Sequence, residues 1–452
     1  MRIKIPEGAK TIIHTLTRAG YEAFVVGGCV RDSLLGIEPH DWDICTNAAP
    51  LSVKETLSGF RIIETGIKHG TVTVLIDGES YEVTTYRKDG DYSDHRRPDT
   101  VEFVSNLKED LSRRDFTVNA MAYNDSEGLI DPFNGQDDLT KHMIRCVGNA
   151  DHRFEEDALR VLRALRFAST YQFSIDPGTA AAIHRNTRSL EYVAQERIYT
   201  ELCKLLVGAG ALDILLSYSD VIAQIIPEMK SCVGFRQNNR YHCYTVYGHI
   251  AHSVAAYKGS DVTTKLALLL HDIGKPQCYS ENETGGHFYD HARISRDLAK
   301  AVLDRFKVDN QTRHDVPELV LFHDADIKPT PRTVRKWLNR IGEVQLRRLL
   351  DVREADIAAH APGTQEAHLK ECLEERRVLE EVLAEASCFS LKDLKITGND
   401  LMALGYKEGP QIGRTLRALL EAVMSDEIPN EHEQLMLMAT KMQADGLQKG
   451  DR

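Results

Sequence analysis

The arrangement of apolar and polar positions changes along the chain near residue 150. Within residues 10–140, AKTIIHTLTRAG predicts an amphipathic helix ending at Gly20, and the runs YEAFVVGG, HGTVTVLI, YEVTTYR and TVEFV each predict a strand. After residue 150 apolar residues recur three apart, as at Leu159, Leu162 and Leu165, which indicates helices joined by short turns. We therefore predict an α+β head, with a small mixed sheet that carries helices on one face, followed by an all-α remainder.

Length and charge restrict the class of protein. At about 100–200 residues per domain, 452 residues correspond to about three domains. The net charge of −12 argues against a general nucleic-acid coat protein, although it leaves room for a local basic groove. The nine cysteines include no CxxC pair, so we expect neither a disulfide framework nor a zinc finger. No apolar run reaches the ~18 residues of a membrane span, and no signal peptide is evident, so we expect a cytoplasmic protein with no membrane partner.

Two carboxylates follow a glycine turn in the segment FVVGGCVRDSLLGIEPHDWDICT. Residues two apart in an extended strand point to the same side, so Asp41 and Asp43 would stand side by side and need a cation between them. Mg²⁺ suits this position because it binds carboxylates together with substrate phosphates, and Gly27 and Gly28 let a phosphate approach the backbone. Glu82, in the strand-like run SYEVTTY, is the candidate third carboxylate of a two-metal site. A bare D-x-D is most often a solvated turn, but the preceding glycines favour metal-assisted nucleotidyl transfer.

Five motifs occur in order along the first half of the chain. The first runs from Gly27 to Thr46, and the others are TGIKHGTVTV (65–74), RRDFTVNAMAY (113–123), DPFNGQDDL (131–139) and RFEEDALRVLRALRF (153–167). Together they resemble the class II tRNA nucleotidyltransferases, which include the CCA-adding enzymes, and their relatives the bacterial poly(A) polymerases. The tail segment LKITGNDLMALGYKEGPQIGRTLRALLEAV (391–420) is similar to the C-terminal helical module of the same family.

The resemblance implies a role for each matching residue. Asp41, Asp43 and Glu82 would be the catalytic carboxylates, and the two aspartates would hold the Mg²⁺ that activates an RNA 3′ hydroxyl. The other matches would bind the nucleotide: its phosphates by Gly27, Gly28 and Arg31, its ribose by Arg113, Arg114 and Asp115, its base by Asp157 and Arg160, with Asn119, Arg163 and Arg166 completing the set.

The base-reading pair belongs to the family's EDxxR motif. Asp157 and Arg160 are three residues apart in the predicted helix, so both would face one way. An ionised Asp accepts hydrogen bonds from the amino groups of cytosine and adenine, and Arg donates to their ring acceptors. Outside this motif the same spacing is usually an intrahelical salt bridge. Residues 86–98 (YRKDGDYSDHRRP) resemble the loop that the family uses to switch from C to A addition, and their full length favours CCA addition.

A second group of metal-ligand residue types begins at residue 242. The apolar helical run LALLLHDIGKP delivers His271 and Asp272, an adjacent imidazole and carboxylate that suit a divalent metal. This run resembles the HD domain of metal-dependent phosphohydrolases, which implies a divalent cation of the Mg, Mn, Fe or Ni type. The resemblance supplies the ligands His249, His271, Asp272 and Asp356, with His291 and His323 for a second metal, whereas His242 and His252 are expected to be ordinary surface or core histidines.

These resemblances imply a function and its partners. The chain would add CCA to tRNA 3′ ends from CTP and ATP without a template, and its HD site would add a phosphohydrolase activity. Two alternatives stay open: an A-adding enzyme or poly(A) polymerase, and an HD phosphohydrolase whose head only binds RNA. The predicted domains are a nucleotidyltransferase head (1–150), a helical neck with the base-reading motif (151–230), an HD domain (231–360) and a helical tail (361–452).

Overall fold

A computed structural model describes residues 2–64, 66–67, 70–90, 101–283, 285–385 and 388–449. The chain divides into two compact units. Unit 1 comprises Met1–Val233 and Val302–Val308, and unit 2 comprises Gly234–Ala301 and Asp309–Arg452. The boundary at residue 233 lies close to the predicted start of the HD domain at residue 231. The other two predicted boundaries stay predictions.

Unit 1 combines a mixed sheet with helices. Its strands are β1 (Ala23–Val26), β2 (Asp43–Thr46), β3 (Arg61–Ile63), β4 (Thr71–Ile76), β5 (Glu79–Thr85), β6 (Arg87–Asp89), β7 (Val101–Phe103), β8 (Ala122–Asn124), β9 (Gly128–Ile130), β10 (Met143–Ile144) and β11 (Ser174–Ile175). Its helices are α1 (Glu7–Arg18), α2 (Gly28–Leu34), α3 (Pro50–Thr56), α4 (Leu107–Ser112), α5 (Gly135–Thr140), α6 (Ala150–Glu156), α7 (Leu159–Tyr171), α8 (Pro177–Asn186), α9 (Gln195–Leu206), α10 (Ala211–Ser217) and α11 (Ser219–Ile225), with 3₁₀ turns at Thr117–Asn119, Thr187–Tyr192 and Pro227–Ser231.

Seven strands form the main sheet, in the order β3-β4-β5-β2-β1-β8-β9. β2 pairs in parallel with β5, whereas β1 runs antiparallel to β2 and β8. The predicted mixed α+β head is therefore confirmed, and each of its four predicted strands exists. The run TVEFV contributes β7, which pairs with β6 in a separate two-stranded sheet. The apolar run of β1 is buried throughout, and Phe24 and Cys45 pack beside Tyr86 and Leu111 in the core.

The EDxxR segment is not one continuous helix, contrary to the prediction. Helix α6 ends at Glu156, and Asp157 has an extended backbone with φ −140° and ψ 102° before α7 begins at Leu159. The Asp157 carboxylate accepts a hydrogen bond from the Leu159 N–H at 3.1 Å. Asp side chains that bond to a nearby backbone N–H compete with the helix in this way, which explains the break.

Strand pairing crosses the predicted boundary between head and neck. β10 pairs in parallel with β11, so that Met143 lies opposite Ser174 and Ile144 opposite Ile175. The strands therefore do not end at residue 150, although the segments after it are mostly helical as predicted. A two-residue strand leaves no periodicity that a sequence pattern can detect.

Unit 2 is largely helical. Its helices are α12 (Val246–Ala256), α13 (Val262–Leu270), α14 (His291–Phe306), α15 (Asn310–Phe322), α16 (Pro331–Ala358), α17 (Glu366–Ala384), α18 (Gly398–Ala403), α19 (Pro410–Met424) and α20 (His432–Lys449), with a 3₁₀ turn at Lys275–Gln277. An antiparallel hairpin of β12 (Tyr279–Asn282) and β13 (Gly285–Phe288) was not predicted. Helix α16 is kinked at Gly342, where φ is +79°.

Two compositional expectations can be compared with the structure. All nine cysteines are free thiols, in agreement with the prediction of no disulfide framework. Within the described ranges, no helix combines the length and apolar character needed to cross a membrane.

Gly208 provides a test of packing between α7 and α9. A Cβ placed on Gly208 would lie 2.2 Å from the Ser169 Oγ and 2.7 Å from the Ser169 carbonyl carbon, so the backbones would have to separate. Gly208→Ala should lower the free energy of unfolding by about 1–3 kcal/mol, measured by urea denaturation. Gly59→Ala is the control, because nothing lies within 4 Å of that Cβ. Equal midpoints for the two variants would contradict the close packing.

Candidate functional site

Three carboxylates gather at the edge where β2 and β5 begin their parallel pairing. Asp43 on β2 lies directly opposite Glu82 on β5, and Asp41 precedes the strand by two residues. Desolvation raises the pKa of Asp43, Arg114 counteracts this shift, and the carboxylates of Glu82 and Asp41 raise the pKa further. The structure therefore brings the predicted metal pair and the predicted third carboxylate within electrostatic reach of each other. These three carboxylates repel one another unless a cation is bound, and their oxygens are ligands that Mg²⁺ prefers.

The glycine turn lies beside this group. Gly27 adopts φ +84°, a conformation that favours glycine, and a Cβ there would lie 2.8 Å from Arg114 Nη1. Its N–H donates to the Met121 carbonyl at 3.1 Å, and Gly28 begins α2. Arg114 also interacts electrostatically with Asp43, so one guanidinium lies between the turn and the carboxylates. This is a suitable arrangement for a phosphate that bridges a metal and a cationic side chain.

A chain of hydrogen bonds connects the turn region to α7. Arg31 donates from Nη1 to the Asn119 Oδ1 at 2.5 Å, and Asn119 donates from Nδ2 to the Asp115 Oδ1 at 3.0 Å. Arg163 completes the chain by donating to the Asp115 Oδ2 from Nε at 2.8 Å and from Nη2 at 2.6 Å. Burial alone would raise the pKa of Asp115, but Arg163 and Asn119 outweigh burial and lower the pKa below its usual range. Four predicted nucleotide-binding residues are therefore held in one rigid network.

Two aromatic rings hold Arg31 in place. Its guanidinium lies 5.0 Å from the Phe167 ring centre and 4.9 Å from the Tyr171 ring centre. Arg31 also forms a bidentate pair with Asp32 at 2.9 and 3.0 Å, and the Tyr171 hydroxyl donates to Asp32 at 2.8 Å. Phe167, Tyr171 and Asp32 were not predicted as site residues, although Asp32 and Phe167 lie within two of the five motifs. These contacts restrict Arg31 to one direction.

Arg166 is also held against Phe167. Its guanidinium lies 3.7 Å from that ring centre, and its Nε donates to the Glu201 Oε2 at 2.9 Å. Glu201 is buried on α9 and was not predicted, because a single Glu within an amphipathic helix carries no distinguishing signal. A buried carboxylate of this kind keeps the nearby arginine ionised and directed.

The predicted base-reading residues have separate partners. The Asp157 Oδ2 accepts from Arg197 Nη2 at 2.9 Å. Arg160 donates to Glu156 at 2.6 Å and to the Arg113 carbonyl at 3.0 Å. The expectation that Asp157 and Arg160 share one helix face is wrong, because the helix breaks at Asp157. Their orientation is set by other side chains.

Two further predicted features of unit 1 are Arg113 and the switching loop. Arg113, expected near the ribose, donates from Nε to the Asp110 Oδ1 at 3.0 Å. The predicted switching loop lies outside the described residues from residue 91 onward, and β6 covers its Arg87–Asp89 portion.

In unit 2, the structure brings together all six predicted ligands of the second metal site. His249 Nε2 lies 2.7 Å from the Asp356 Oδ1, and His271 Nε2 lies 3.3 Å from the same oxygen. His291 Nε2 lies 3.2 Å from His323 Nε2. The buried helix α13 positions His271 and Asp272, and Asp356 comes from near the end of α16. We call these six residues the metal cluster: His249, His271, Asp272, His291, His323 and Asp356.

The four imidazoles of the metal cluster share one orientation. Each places Nδ1 against a backbone carbonyl: His249 at Ala359, His271 at Leu268, His291 at Phe288 and His323 at Val320, at 3.3, 2.7, 2.9 and 2.7 Å. A carbonyl only accepts, so each Nδ1 carries a proton, and each Nε2 faces the cluster and can bind a cation whenever it is itself unprotonated. Metal-binding histidines in proteins are oriented by the same type of contact.

Asp272 lies between the two halves of the metal cluster. Its Oδ2 lies 3.2 Å from His271 Nε2, and its Oδ1 lies 3.4 Å from His291 Nε2. Both oxygens are buried without a hydrogen bond of normal geometry, although the ammonium of Lys275 lies 2.6 Å from Oδ2. A buried carboxylate facing imidazole lone pairs fits a bound cation on either side of it. The residues therefore fit the divalent cation expected here, with Asp272 able to contact two.

Protons compensate the charge of this cluster when no cation is bound. Burial lowers the pKa of His271, but Asp272 and Asp356 outweigh burial and raise it to about 10. Burial and the neighbouring imidazoles lower the pKa of His323 to about 4. The metal-free cluster therefore carries a proton on His271 at neutral pH, and a cation that binds there must displace it.

His242, expected to be an ordinary histidine, lies beside the metal cluster. Its ring centre lies 4.8 Å from that of His249 and 4.9 Å from that of His360. One nitrogen each of His242, His249 and His360 lie within 4.8 Å of one another. His252 instead stacks on Tyr244 with ring centres 3.9 Å apart, as expected for an ordinary histidine. The sequence carried no signal for His360, which follows the predicted ligand Asp356 by one helical turn.

Comparisons with known proteins identify similar families along the chain, and they do not show the predicted HD domain. Family models match for the poly A polymerase head domain at residues 23–145, for the RNA- and SrmB-binding site of polymerase A at residues 172–232, and for the tRNA nucleotidyltransferase domain 2 at residues 279–439. A CCA-adding enzyme of Limosilactobacillus fermentum is 32% identical over 96% of this chain and 97% of its own length. One of Lactobacillus gasseri is 48% identical over 49% of this chain, and the chain spans only 56% of that relative's length.

A solved structure is similar along the whole chain. The crystal structure of the Bacillus stearothermophilus CCA-adding enzyme in complex with CTP is 29% identical, with a TM-score of 0.74. The similarity covers 100% of both chains.

Metal addition tests the protonation state of the metal cluster. Adding Mn²⁺ to the metal-free chain at pH 7 should release about one proton, because His271 must become neutral to bind, and the binding constant should rise about tenfold per pH unit between about pH 7 and 9. Calorimetric titration in two buffers of different ionisation enthalpy measures the proton released. His271→Gln is the control and should release none on any residual binding. Mn²⁺ uptake by the unaltered chain with no proton released would contradict the assignment.

Proposed function

We propose, from the premise that this chain belongs to the family of CCA-adding enzymes, that it adds cytidine, cytidine and adenosine to the 3′ end of tRNA from CTP and ATP. The family follows from relatives 32–33% identical that the chain matches over 97–98% of their length. The observation that carries the activity is the position of Asp43 opposite Glu82, with Asp41 close by, beside the glycine turn.

The reaction joins a ribose oxygen to a nucleotide. The tRNA 3′ oxygen forms a bond to the α-phosphorus of CTP or ATP, the bond to the β-phosphate oxygen breaks, and pyrophosphate leaves. A divalent metal of this family, usually Mg²⁺, supplies Lewis-acid stabilisation of the phosphate oxygens and of the attacking oxygen. Asp41, Asp43 and Glu82 would hold it, since their oxygens are the donors that Mg²⁺ prefers.

The remaining predicted residues bind and orient the nucleotide. Arg114, which the resemblance assigns to the ribose, lies against the Gly27 turn and would instead contact the phosphates together with Arg31. Asp115 would accept a hydrogen bond from a ribose hydroxyl, because Arg163 and Asn119 keep its carboxylate ionised. Asp157 and Arg160 would read the base. Because these side chains are already held by partners, little further ordering is needed when the nucleotide binds.

Removing one carboxylate tests the catalytic assignment. Asp43→Asn keeps the size of the side chain and removes its charge, so we expect nucleotidyl transfer to fall by about 10²–10³-fold or more. Asp137→Asn is the matched control and should leave the rate unchanged, because Asp137 is an exposed carboxylate on α5 that pairs with Lys141. Rates are measured with a tRNA transcript and labelled ATP or CTP. A wild-type rate for Asp43→Asn would refute the assignment.

The products distinguish the possible activities within the family. Transcripts that end at the discriminator base, at C and at CC are incubated with Mg²⁺ and CTP, ATP or both, and resolved on a sequencing gel. The proposed activity extends all three to a common CCA end and then stops. Extension of the CC-ended transcript alone would indicate an A-adding enzyme, and a long A ladder a poly(A) polymerase.

We propose a phosphohydrolase activity for unit 2 as a second function. It rests on the convergence of four imidazole Nε2 atoms and two carboxylates in the metal cluster, each imidazole oriented through Nδ1. Divalent metals held in this way activate water and polarise phosphoryl oxygens. A purely structural cation would not need the open cavity that reaches the cluster at His291.

Paired substitutions separate the two activities. His271→Gln with Asp272→Asn should abolish Mn²⁺ retention and hydrolysis of p-nitrophenyl phosphate while CCA addition stays near the wild-type rate, because those residues lie in unit 2. His252→Gln is the control, since His252 stacks on Tyr244 outside the metal cluster. Metal content is measured after dialysis. Hydrolysis that survives in the double variant would exclude this site as its source.

A further inference from the structure

A cavity of about 610 Å³ in unit 2 opens onto the metal cluster. Its lining includes His291, which belongs to the cluster, and Lys275, whose ammonium lies 2.6 Å from Asp272. Tyr241 and Phe288 contribute aromatic surface to the lining. Arg240 and His242, from the segment before α12, also line the cavity. Among the described residues, the lining contains no Asp or Glu. The cavity therefore reaches the cluster at His291 with a lining that favours an anion.

One loop forms the outer wall of this cavity. We call residues 236–245 the wall loop, and the backbone pairing of Arg236 with Thr245 closes it. The buried Gln237 accepts from Lys275 Nζ at 3.0 Å, and the Gly286 N–H donates to the Asn238 carbonyl at 2.9 Å.

The far side of the wall loop is held as well. The Ala361 N–H donates to the Tyr241 carbonyl at 2.7 Å. Hydrogen bonds to Lys275, to the β12–β13 hairpin and to Ala361 after α16 hold the backbone of the wall loop in a defined position.

Arg240 has a defined position but no acidic partner. Its guanidinium lies 4.7 Å from the Tyr241 ring centre and donates to the Tyr241 hydroxyl at 2.5 Å. Throughout the ranges that the structure describes, no carboxylate forms an ion pair with Arg240. A guanidinium that is oriented but not neutralised is suited to bind phosphate oxygens.

His242 and His360 differ from the four imidazoles of the metal cluster. Their Nδ1 atoms are buried without a hydrogen-bond partner among the described residues, whereas each cluster imidazole is fixed by a carbonyl. Neither ring is therefore fixed by a backbone carbonyl in the way that the four imidazoles of the metal cluster are. Both lie against His249, so an N–H of either can be presented to an anion bound at that side of the cluster.

We propose that Arg240 and His242 form a phosphoryl-binding subsite that makes the unit 2 site selective for phosphate monoesters over diesters. The proposal rests on the second proposed function, because it assigns a substrate class to that site. Arg240 receives one terminal phosphoryl oxygen and His242 another, and Lys275 supplies positive charge at the inner end of the cavity.

The number of oxygens explains the selectivity. A monoester carries three terminal oxygens and close to two negative charges near pH 7, enough for the cluster cations and for Arg240 and His242 together. A diester carries two non-bridging oxygens and one charge, which the cations alone can occupy. In hydrolysis, the oxygen of water forms a bond to phosphorus, the bond to the ester oxygen breaks, and the proton lost by the water passes to that oxygen.

The test compares Arg240→Gln and His242→Asn with Arg236→Gln. Arg236 is the matched control, because it is an exposed arginine of the same wall loop that does not line this cavity. Mn²⁺ content after dialysis is measured first and should be equal in the unaltered chain and in the three variants. Binding of orthovanadate to the Mn²⁺-loaded chain is then measured by calorimetry, and we expect about tenfold weaker binding for Arg240→Gln and a several-fold loss for His242→Asn.

Hydrolysis provides the second readout. The ratio of kcat/KM for p-nitrophenyl phosphate to that for bis(p-nitrophenyl) phosphate should fall about tenfold in Arg240→Gln and stay unchanged in Arg236→Gln. A ribonucleoside monophosphate and glycerol phosphate, compared as substrates, distinguish a nucleotide from a non-nucleotide monoester, and preference for either supports the subsite.

The outcomes separate the two proposals. A wild-type chain that retains no metal removes the phosphohydrolase proposal and the subsite with it. Metal retention and hydrolysis, with vanadate affinity and substrate ratio equal in Arg240→Gln and Arg236→Gln, would overturn the subsite alone. Metal retention without hydrolysis refutes the activity, and vanadate binding then decides the subsite by itself.

Discussion

The parallel pairing of β2 with β5 is the constraint on which the head depends. It places Asp43 directly opposite Glu82, so two like charges stand on neighbouring strands at one edge of the sheet. Because like charges across a strand pair destabilise a sheet, this position needs positive charge from elsewhere. Arg114 supplies part of it and at the same time lies against Gly27, so the carboxylates and the glycine turn share one cation. The rest of the site is arranged around the need to balance the negative charge of these carboxylates.

Several arginines of the nucleotide site in unit 1 are paired with carboxylates before a nucleotide binds. Arg163 is held by Asp115 and Arg166 by Glu201, and Arg31 is held by Asp32 beside the rings of Phe167 and Tyr171. Pairing reduces the positive charge offered to a phosphate, but it keeps these long side chains from losing conformational freedom on binding. The same principle appears in unit 2 with the opposite sign of charge. There the acids are neutralised by a proton on His271 until a cation replaces it.

Much of the fold and of both sites could be predicted from the sequence, because their signals are local. The β-branched runs between turn residues specify β1, β4 and β5, and the HD pair at the end of an apolar helix indicated the metal cluster. The break at Asp157 was missed because it depends on the Asp157 carboxylate bonding to the Leu159 N–H, and Arg197, forty residues away, fixes that carboxylate. His360 and Glu201 were missed for a related reason: His360 lies just after the end of α16 and Glu201 lies within α9, and neither stands in a local pattern that distinguishes it.

The sequence by itself determined which chemistry is available: carboxylates two apart after a glycine turn, an adjacent His and Asp, and arginines at helical spacing. Those are properties of residue type and short spacing, which survive without knowledge of the fold. Only the tertiary structure decided which groups meet. Register brought Glu82 to Asp43, backbone carbonyls turned four imidazole Nε2 atoms inward, and the wall loop placed Arg240 on a cavity beside them. Contacts between residues far apart in the chain decide these positions, because no local pattern encodes them.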